Sequence, residues 1–344
     1  MKKRVTALAL LLCLTLTACG GREDSRGQTS FLGQAADIRE DETLLTVDGR
    51  EVPAWRYLYW LAYTCDRIRE RYQESGLALD WKTPVTGGTL ADYARDQALA
   101  DTALYATVEN WAEQYGCALT EEDREALAAA WEEQAAAHGG ETAYLAELAE
   151  LGLDRQRAEE LAGVGTLYGK LYTLYRAGDS ALTPDTAALA AFAAETGSLT
   201  VDRILVAAGE DREAARQKAA EIFSRLNGAA DQGAEFAAQA AAGDDPAGPR
   251  TFLAGDGTLD SVLEEAAKAL AEGQCSGILE SEEGFSILRR LAPDPDALAD
   301  DYFDHLLRTA AENAPVEMEE AYEKLDAAAF DQALRAARAA AADP

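Results

Sequence analysis

Histidine and cysteine are the side chains best suited to hold a metal or attack an electrophile, and this chain of 344 residues has few of them. Its two histidines, His138 and His305, lie far apart, and its five cysteines, Cys13, Cys19, Cys65, Cys117 and Cys275, are scattered. None of them has the short paired spacing of a zinc site, so no metal is expected. Gly163-Val164-Gly165 sits in a helical context with no strand before it, which does not fit a dinucleotide-binding turn. A Walker-type phosphate loop and a Gly-x-Ser-x-Gly nucleophile elbow are both missing from the sequence, and no cofactor is implied.

Cys19 is the cysteine whose setting points to chemistry. Met1-Lys2-Lys3-Arg4 is basic and Val5 to Leu16 is an almost unbroken apolar run, the pattern of a signal peptide. The run falls short of the roughly 20 residues a spanning helix needs, and it ends in Leu16-Thr17-Ala18-Cys19-Gly20, which matches the bacterial lipobox. In such sequences the chain is cut before the cysteine, whose thiol then takes a diacylglycerol, and Thr17 and Ala18 are small enough for that cleavage. Acyl chains contribute about 0.8 kcal/mol per buried methylene, so an acylated Cys19 is a firm anchor. The expected location is extracytoplasmic, on the outer face of the bacterial cell membrane. Residues 1–18 read as signal peptide and 19–43, polar and without apolar periodicity, as a flexible lipidated tether.

The balance of 62 acidic against 31 basic side chains gives a net charge of −31, which repels nucleic acid and anionic headgroups. Cys65, Cys117 and Cys275 are an odd number for the mature chain, so a disulfide framework is not expected, although a Cys65–Cys117 pairing stays open.

The body opens with Leu44 to Val52, a short strand and an Asp48-Gly49 turn, and Pro53 stands where a first helical residue is favoured. Leu58, Leu61, Ala62, Cys65, Ile68 and Tyr72 recur at helical spacing, as do Leu104, Val108, Trp111 and Tyr115 and, further on, Leu161, Val164, Tyr168, Leu171 and Tyr175. Thr120 with Glu121-Glu122-Asp123 reads as a capped helix start. The spacing therefore predicts one helical domain over 44–198. From 199 to 292 the texture changes: Leu199 to Val206 alternates like a half-buried strand, helices follow over 214–226 and 235–242, then a strand at 251–253, a helix over 259–270, and strands at 275–279 and 284–291. The order is β-α-α-β-α-β-β. After Pro293-Asp294-Pro295-Asp296 the chain, 293–344, returns to helix with Tyr302, Leu306, Met318, Tyr322, Leu325, Phe330 and Leu334 as expected buried positions. The expected architecture is α+β, a helical domain completed by the C-terminal helices with the mixed domain inserted.

Several anchors carry a resemblance: Val201-Asp202-Arg203-Ile204-Leu205-Val206, Ala234-Glu235-Phe236, Gly255-Asp256-Gly257 ahead of Leu263-Glu264-Glu265-Ala266, Glu272-Gly273-Gln274, and Gly284-Phe285-Ser286-Ile287. In this order they resemble parvulin-type (PpiC) peptidyl-prolyl isomerase domains. The helical segment, with Val47-Asp48-Gly49 leading into a long helix and Leu182-Thr183-Pro184-Asp185 before the first mixed-domain strand, is similar to the chaperone half of PrsA- and SurA-type foldases.

The resemblance implies rotation about X-Pro bonds in unfolded or newly secreted polypeptides, with no covalent step. It implies a proline pocket at Leu259, Leu263 and Phe285, residues that serve equally well as ordinary core. The polar centre departs from the family: its two histidine positions hold Arg203 and Ser286, its acid position falls at Asp245, beside Asp244, and its threonine position at Ser281. An arginine only donates hydrogen bonds and keeps its charge, whereas an imidazole donates, accepts and titrates near neutrality. Two roles therefore stand: an isomerase and foldase, or a holdase whose parvulin-like domain only binds peptide.

Overall fold

The computed structural model describes residues 30–178 and 180–342; the expected signal peptide, Cys19 and the first part of the expected tether lie outside them. The chain divides into a unit of residues 1–180 with 304–344 and a second unit of 181–303. Among the described residues no helix is long and apolar enough to cross a membrane.

The first unit starts inside the segment expected to be a tether. Helix α1 (Phe31–Ala36) is capped by the Ser30 side chain, and Leu32 is buried. Glu40 then fixes the following turn, accepting from the Gly33 N–H and from Arg157 Nη1, each at 2.8 Å. Apolar Phe31-Leu32 behind a good cap helps order residues 30–43, so this part of the expected tether is folded.

Strands β1 (Thr43–Val47) and β2 (Arg50–Pro53) form the hairpin, with Asp48 and Gly49 at φ 47° and 79°, as a turn that matches strand twist requires. Pro53 is not the first helical residue: it ends β2 in extended geometry and N-caps α2 (Ala54–Glu74). Then come α3 (Leu90–Gln114), α4 (Glu121–Ala137), α5 (Glu141–Glu150) and α6 (Arg155–Arg176). Thr120 and Asp123 close a capping box on α4, and a hydrogen bond from Lys170, with those of Thr120, holds the Asp123 carboxyl down to about 2. The stretch is not helical throughout. A hairpin of β3 (Pro84–Val85) and β4 (Gly88–Thr89) interrupts it, because Gly87 at φ 94° supplies a left-handed turn.

The C-terminal stretch also differs from an all-helical reading. β9 (Val316–Met318) pairs antiparallel with β1, giving the order β2-β1-β9, and Met318 is 42% exposed rather than buried. Pro315 cannot extend a helix here, and its carbonyl takes the Asp48 N–H at 2.8 Å, which sets the register. After α12 (Glu320–Glu323), helix α13 (Ala327–Ala342) buries Phe330 and Leu334. Its Asp331, 2% exposed, accepts from Arg69 and from Trp81 Nε1, the latter at 3.0 Å. The helical domain is thus completed by the chain's last segment around an insertion, as expected.

The second unit contains α7 (Thr186–Thr196), which the sequence assigned to the helical domain. Gly197, at φ 71°, turns α7 directly into β5 (Ser198–Ala207), and Phe192 packs edge-on against Tyr302. β5 is followed by α8 (Arg212–Gly228), α9 (Gln232–Ala241), β6 (Arg250–Leu253), α10 (Ser261–Ala269), β7 (Leu279–Glu280) and β8 (Gly284–Leu291), and α11 (Pro295–Asn313) begins in this unit. The sheet runs β6-β5-β8-β7, antiparallel throughout. The expected strand over 275–279 shrinks to β7 with an isolated bridge from Cys275 to Arg289. The ladder breaks there because the Ser276 hydroxyl, not a backbone carbonyl, takes the Leu288 N–H at 2.9 Å. Cys65, Cys117 and Cys275 are free thiols, so no Cys65–Cys117 bridge forms.

Candidate functional site

Successive side chains of a strand point to opposite faces, and the sheet of the second unit carries a separate core on each. On one, Ile204 and Val206 of β5 and Phe285 and Ile287 of β8 pack against Ala219 and Ile222 of α8 and Phe236 of α9. On the other, Leu199, Val201 and Leu288 pack with Phe252 of β6 and Leu263 and Ala267 of α10, with Leu259 half-buried against them.

Alternation puts Arg203 and Ser286 on the α10 face, and there they meet. Arg203 Nε donates to Ser286 Oγ at 3.0 Å, Nη2 lies 2.6 Å from Glu283 and Nη1 3.9 Å from Asp245. Asp245 in turn accepts from Arg250 Nη2 at 2.8 and 3.0 Å. Ser286 is fully buried and the Arg203 side chain 13% exposed, whereas Glu283 and Arg250 open to solvent.

Local structure explains why these groups converge. Asp244 clamps the loop before β6, its N–H donating to the Leu205 carbonyl at 3.0 Å and its carboxylate accepting from the Ala207 N–H at 2.8 Å. That clamp presents the next residue, Asp245, to Arg203. Glu283 is delivered by the tight start of β8. Gly284 has φ 147°, and a Cβ there would come within 2.2 Å of the Val206 carbonyl oxygen, so only glycine lets the strands approach.

Of the residues singled out in the sequence, Arg203, Ser286 and Asp245 come together, with Leu259 and Leu263 on the same face. Ser281 does not join them: its N–H closes the β7–β8 turn on Gly284, and its hydroxyl is buried without a partner. Phe285 is a correction. It points into the α8 and α9 core, where Arg212 and Arg216 lie 5.3 Å from its ring. A period-two reading of Phe285-Ser286 already separates the two residues, so a pocket using both was never geometrically available. Glu283 and Arg250 were missed; the first reads as a solvated turn acid and the second as a strand edge, and only a buried guanidinium needing counter-charges hints at them.

Two guanidiniums and two carboxylates make a charge-balanced chain of ion pairs. Arg203 can donate to a carbonyl or carboxylate beside an apolar shelf, but it cannot relay a proton. Away from this face, burial lifts the Asp202 carboxyl and the Cys275 thiol above their ordinary values. Among the described residues no group of three His, Cys, Asp or Glu side chains could hold a metal ion.

Residues 198–292 match the family described as rotamase, the PPIC-type PPIase domain. This segment is therefore similar to parvulin-type rotamase domains. The chain is similar to PrsA from Bacillus subtilis, at 12% identity over 88% of this chain and 93% of that one, with a TM-score of 0.25. It is likewise similar to the foldase PrsA from Streptococcus pneumoniae (16% identity, 74% and 92% covered, TM-score 0.24) and to a SurA-like chaperone from Campylobacter jejuni (11%, 81% and 99%, TM-score 0.21). At these scores the likenesses add nothing to the assignment, which rests on the rotamase match. No curated protein matches the chain.

Proposed function

We propose that the chain is an extracytoplasmic foldase, anchored through an acylated Cys19 to the outer face of the bacterial membrane, whose rotamase domain acts on X-Pro bonds of unfolded or newly secreted polypeptides. The observation that carries this reading is the convergence of Arg203, Ser286, Asp245, Leu259 and Leu263 on one face of the sheet in a segment that matches the rotamase family.

Rotation about an X-Pro bond is slow because amide resonance imposes a barrier of about 18–20 kcal/mol. Lowering it requires only that the amide be desolvated and its twisted form stabilised. Leu259, half-buried over the Leu263 core, supplies an apolar seat for the proline ring, and Arg203 supplies donors at its edge. Polypeptide is the only partner this site chemistry calls for; a net charge of −31 argues against nucleic acid.

A second reading, peptide holding without catalysis, is favoured by one feature: the Arg203 guanidinium is already engaged by Ser286, Glu283 and Asp245. A protease-coupled or NMR exchange assay of prolyl isomerisation by the lipid-free chain separates the two. Acceleration by the wild type that is lost in Asp245→Ala, Leu259→Ala supports catalysis at this face. An unchanged rate with wild type removes the isomerase reading and leaves peptide holding.

A further inference from the structure

The first unit encloses a cavity of about 550 Å³, within the range of ligand-binding sites, that has no part in the rotamase domain. Trp60, Tyr105 and Tyr168 give it aromatic walls, the first two edge to face at 4.8 Å. Trp60 is 1% exposed, and its Nε1 donor has no acceptor among the described residues.

The charge on the lining is one-sided, with Asp96, Asp101, Asp304 and Glu312 against Arg308. Asp304 is engaged by the Tyr168 hydroxyl at 2.6 Å. Asp101 is different. It is half-buried and makes no hydrogen bond or salt bridge among the described residues; burial pushes its carboxyl up to about 6, with the Arg308 charge pulling the other way. A half-buried acid that lines a cavity and has no direct salt-bridge partner among the described residues can still take a cation that enters. An adjoining groove of about 650 Å³ shares Gln97 and Asp101 with the cavity and is lined by Tyr63, Tyr72 and Tyr93.

We propose that this cavity receives a lysine or arginine side chain of an unfolded polypeptide, with the Asp101 carboxylate as its counter-ion and the aromatic walls against its methylene stem. The walls suit such a side chain because an apolar stem and a cationic head are what an aromatic lining with an acid at its end recognises. The adjoining groove accommodates residues flanking the inserted one. The chain's net charge of −31 draws basic segments toward it before any contact is made. The inference rests on the reading that the chain handles unfolded polypeptide, and it is independent of whether the rotamase domain catalyses.

The test uses the full chain without its acyl anchor and two labelled peptides that differ only in a central lysine or norleucine, read by fluorescence anisotropy. The expected result is a lysine peptide bound about tenfold more tightly, a preference that Asp101→Asn abolishes without weakening the norleucine peptide and that Glu133→Gln, an exposed acid outside the cavity, leaves intact. Tryptophan fluorescence of each variant checks that the first unit is folded. Equal binding of both peptides by the wild type, or a lysine preference that survives Asp101→Asn, overturns the proposal while leaving polypeptide binding in place. Binding of neither peptide overturns it together with the client-binding reading of the helical unit.

Discussion

Asp331→Ala is the sharpest perturbation of the way the C-terminal segment completes the helical unit. The carboxylate is 2% exposed and lies against Arg69, whose side chain is only 15% exposed; it also accepts from Trp81 Nε1 at 3.0 Å and faces Arg335 at 3.7 Å. Removing one partner of a buried ion pair leaves an uncompensated charge and costs about 3–5 kcal/mol, and the orphaned indole donor adds about 1 kcal/mol. With a urea dependence of about 3 kcal/mol per molar, a loss of about 4–6 kcal/mol lowers the unfolding midpoint by about 1.5–2 M. All five tryptophans, at positions 55, 60, 81, 111 and 131, belong to the first unit, so their fluorescence in urea follows that unit alone. Asp331→Asn, which can still accept from Trp81, should lose less, and Arg69→Met with Asp331→Leu should recover most of the loss because no bare charge remains. A midpoint shift below about 0.3 M for Asp331→Ala, equivalent to roughly 1 kcal/mol, would refute the argument that this contact ties the C-terminal helix down.

The remaining predictions concern single residues in each unit. Asp101 has a folded-state carboxyl at about 6 against a usual 3.8, so its contribution is fully favourable below about pH 4 and is lost as pH rises through 6; Tyr59, Tyr105 and Arg308 are the titratable groups coupled to it. Asp101→Asn should therefore stabilise the first unit by about 1–3 kcal/mol at pH 7.5, the lower figure reflecting partial solvent screening, and by nothing at pH 3.5; urea melts at the two pH values read the difference, and equal effects at both would contradict the assignment. Gly284→Ala forces a Cβ to within 2.2 Å of the Val206 carbonyl oxygen at a φ of 147°, and should destabilise the second unit by about 3 kcal/mol or more. Hydrogen exchange of β5 and β8 measures it, with tryptophan fluorescence unaffected; unchanged protection of those strands would show that the strands do not need that close approach.

Local rules carried much of this protein. Asp48-Gly49 fixed a hairpin because both turn positions need positive φ, Thr120 and Asp123 fixed a helix start because they satisfy each other's backbone donors, and the alternation from Leu199 to Val206 fixed both a strand and the face on which Arg203 lies. The order β-α-α-β-α-β-β and the likeness of residues 198–292 to the rotamase family followed from such signals taken together. Partner choice across long separations was a different matter. That β9 pairs with β1, that Asp331 meets Arg69 and Trp81, and that Arg203 is met by Glu283 and Asp245 depends on which surfaces the folded chain brings within a few ångströms. No periodicity encodes such meetings, because periodicity says which side of an element is apolar and nothing about what lies opposite. The cavity beside Asp101 belongs to the same class: its acids sit on two helices, α3 and α11, well separated in the chain, and an acid reads alike in sequence whether packing leaves it in water or half-buried in a cavity wall.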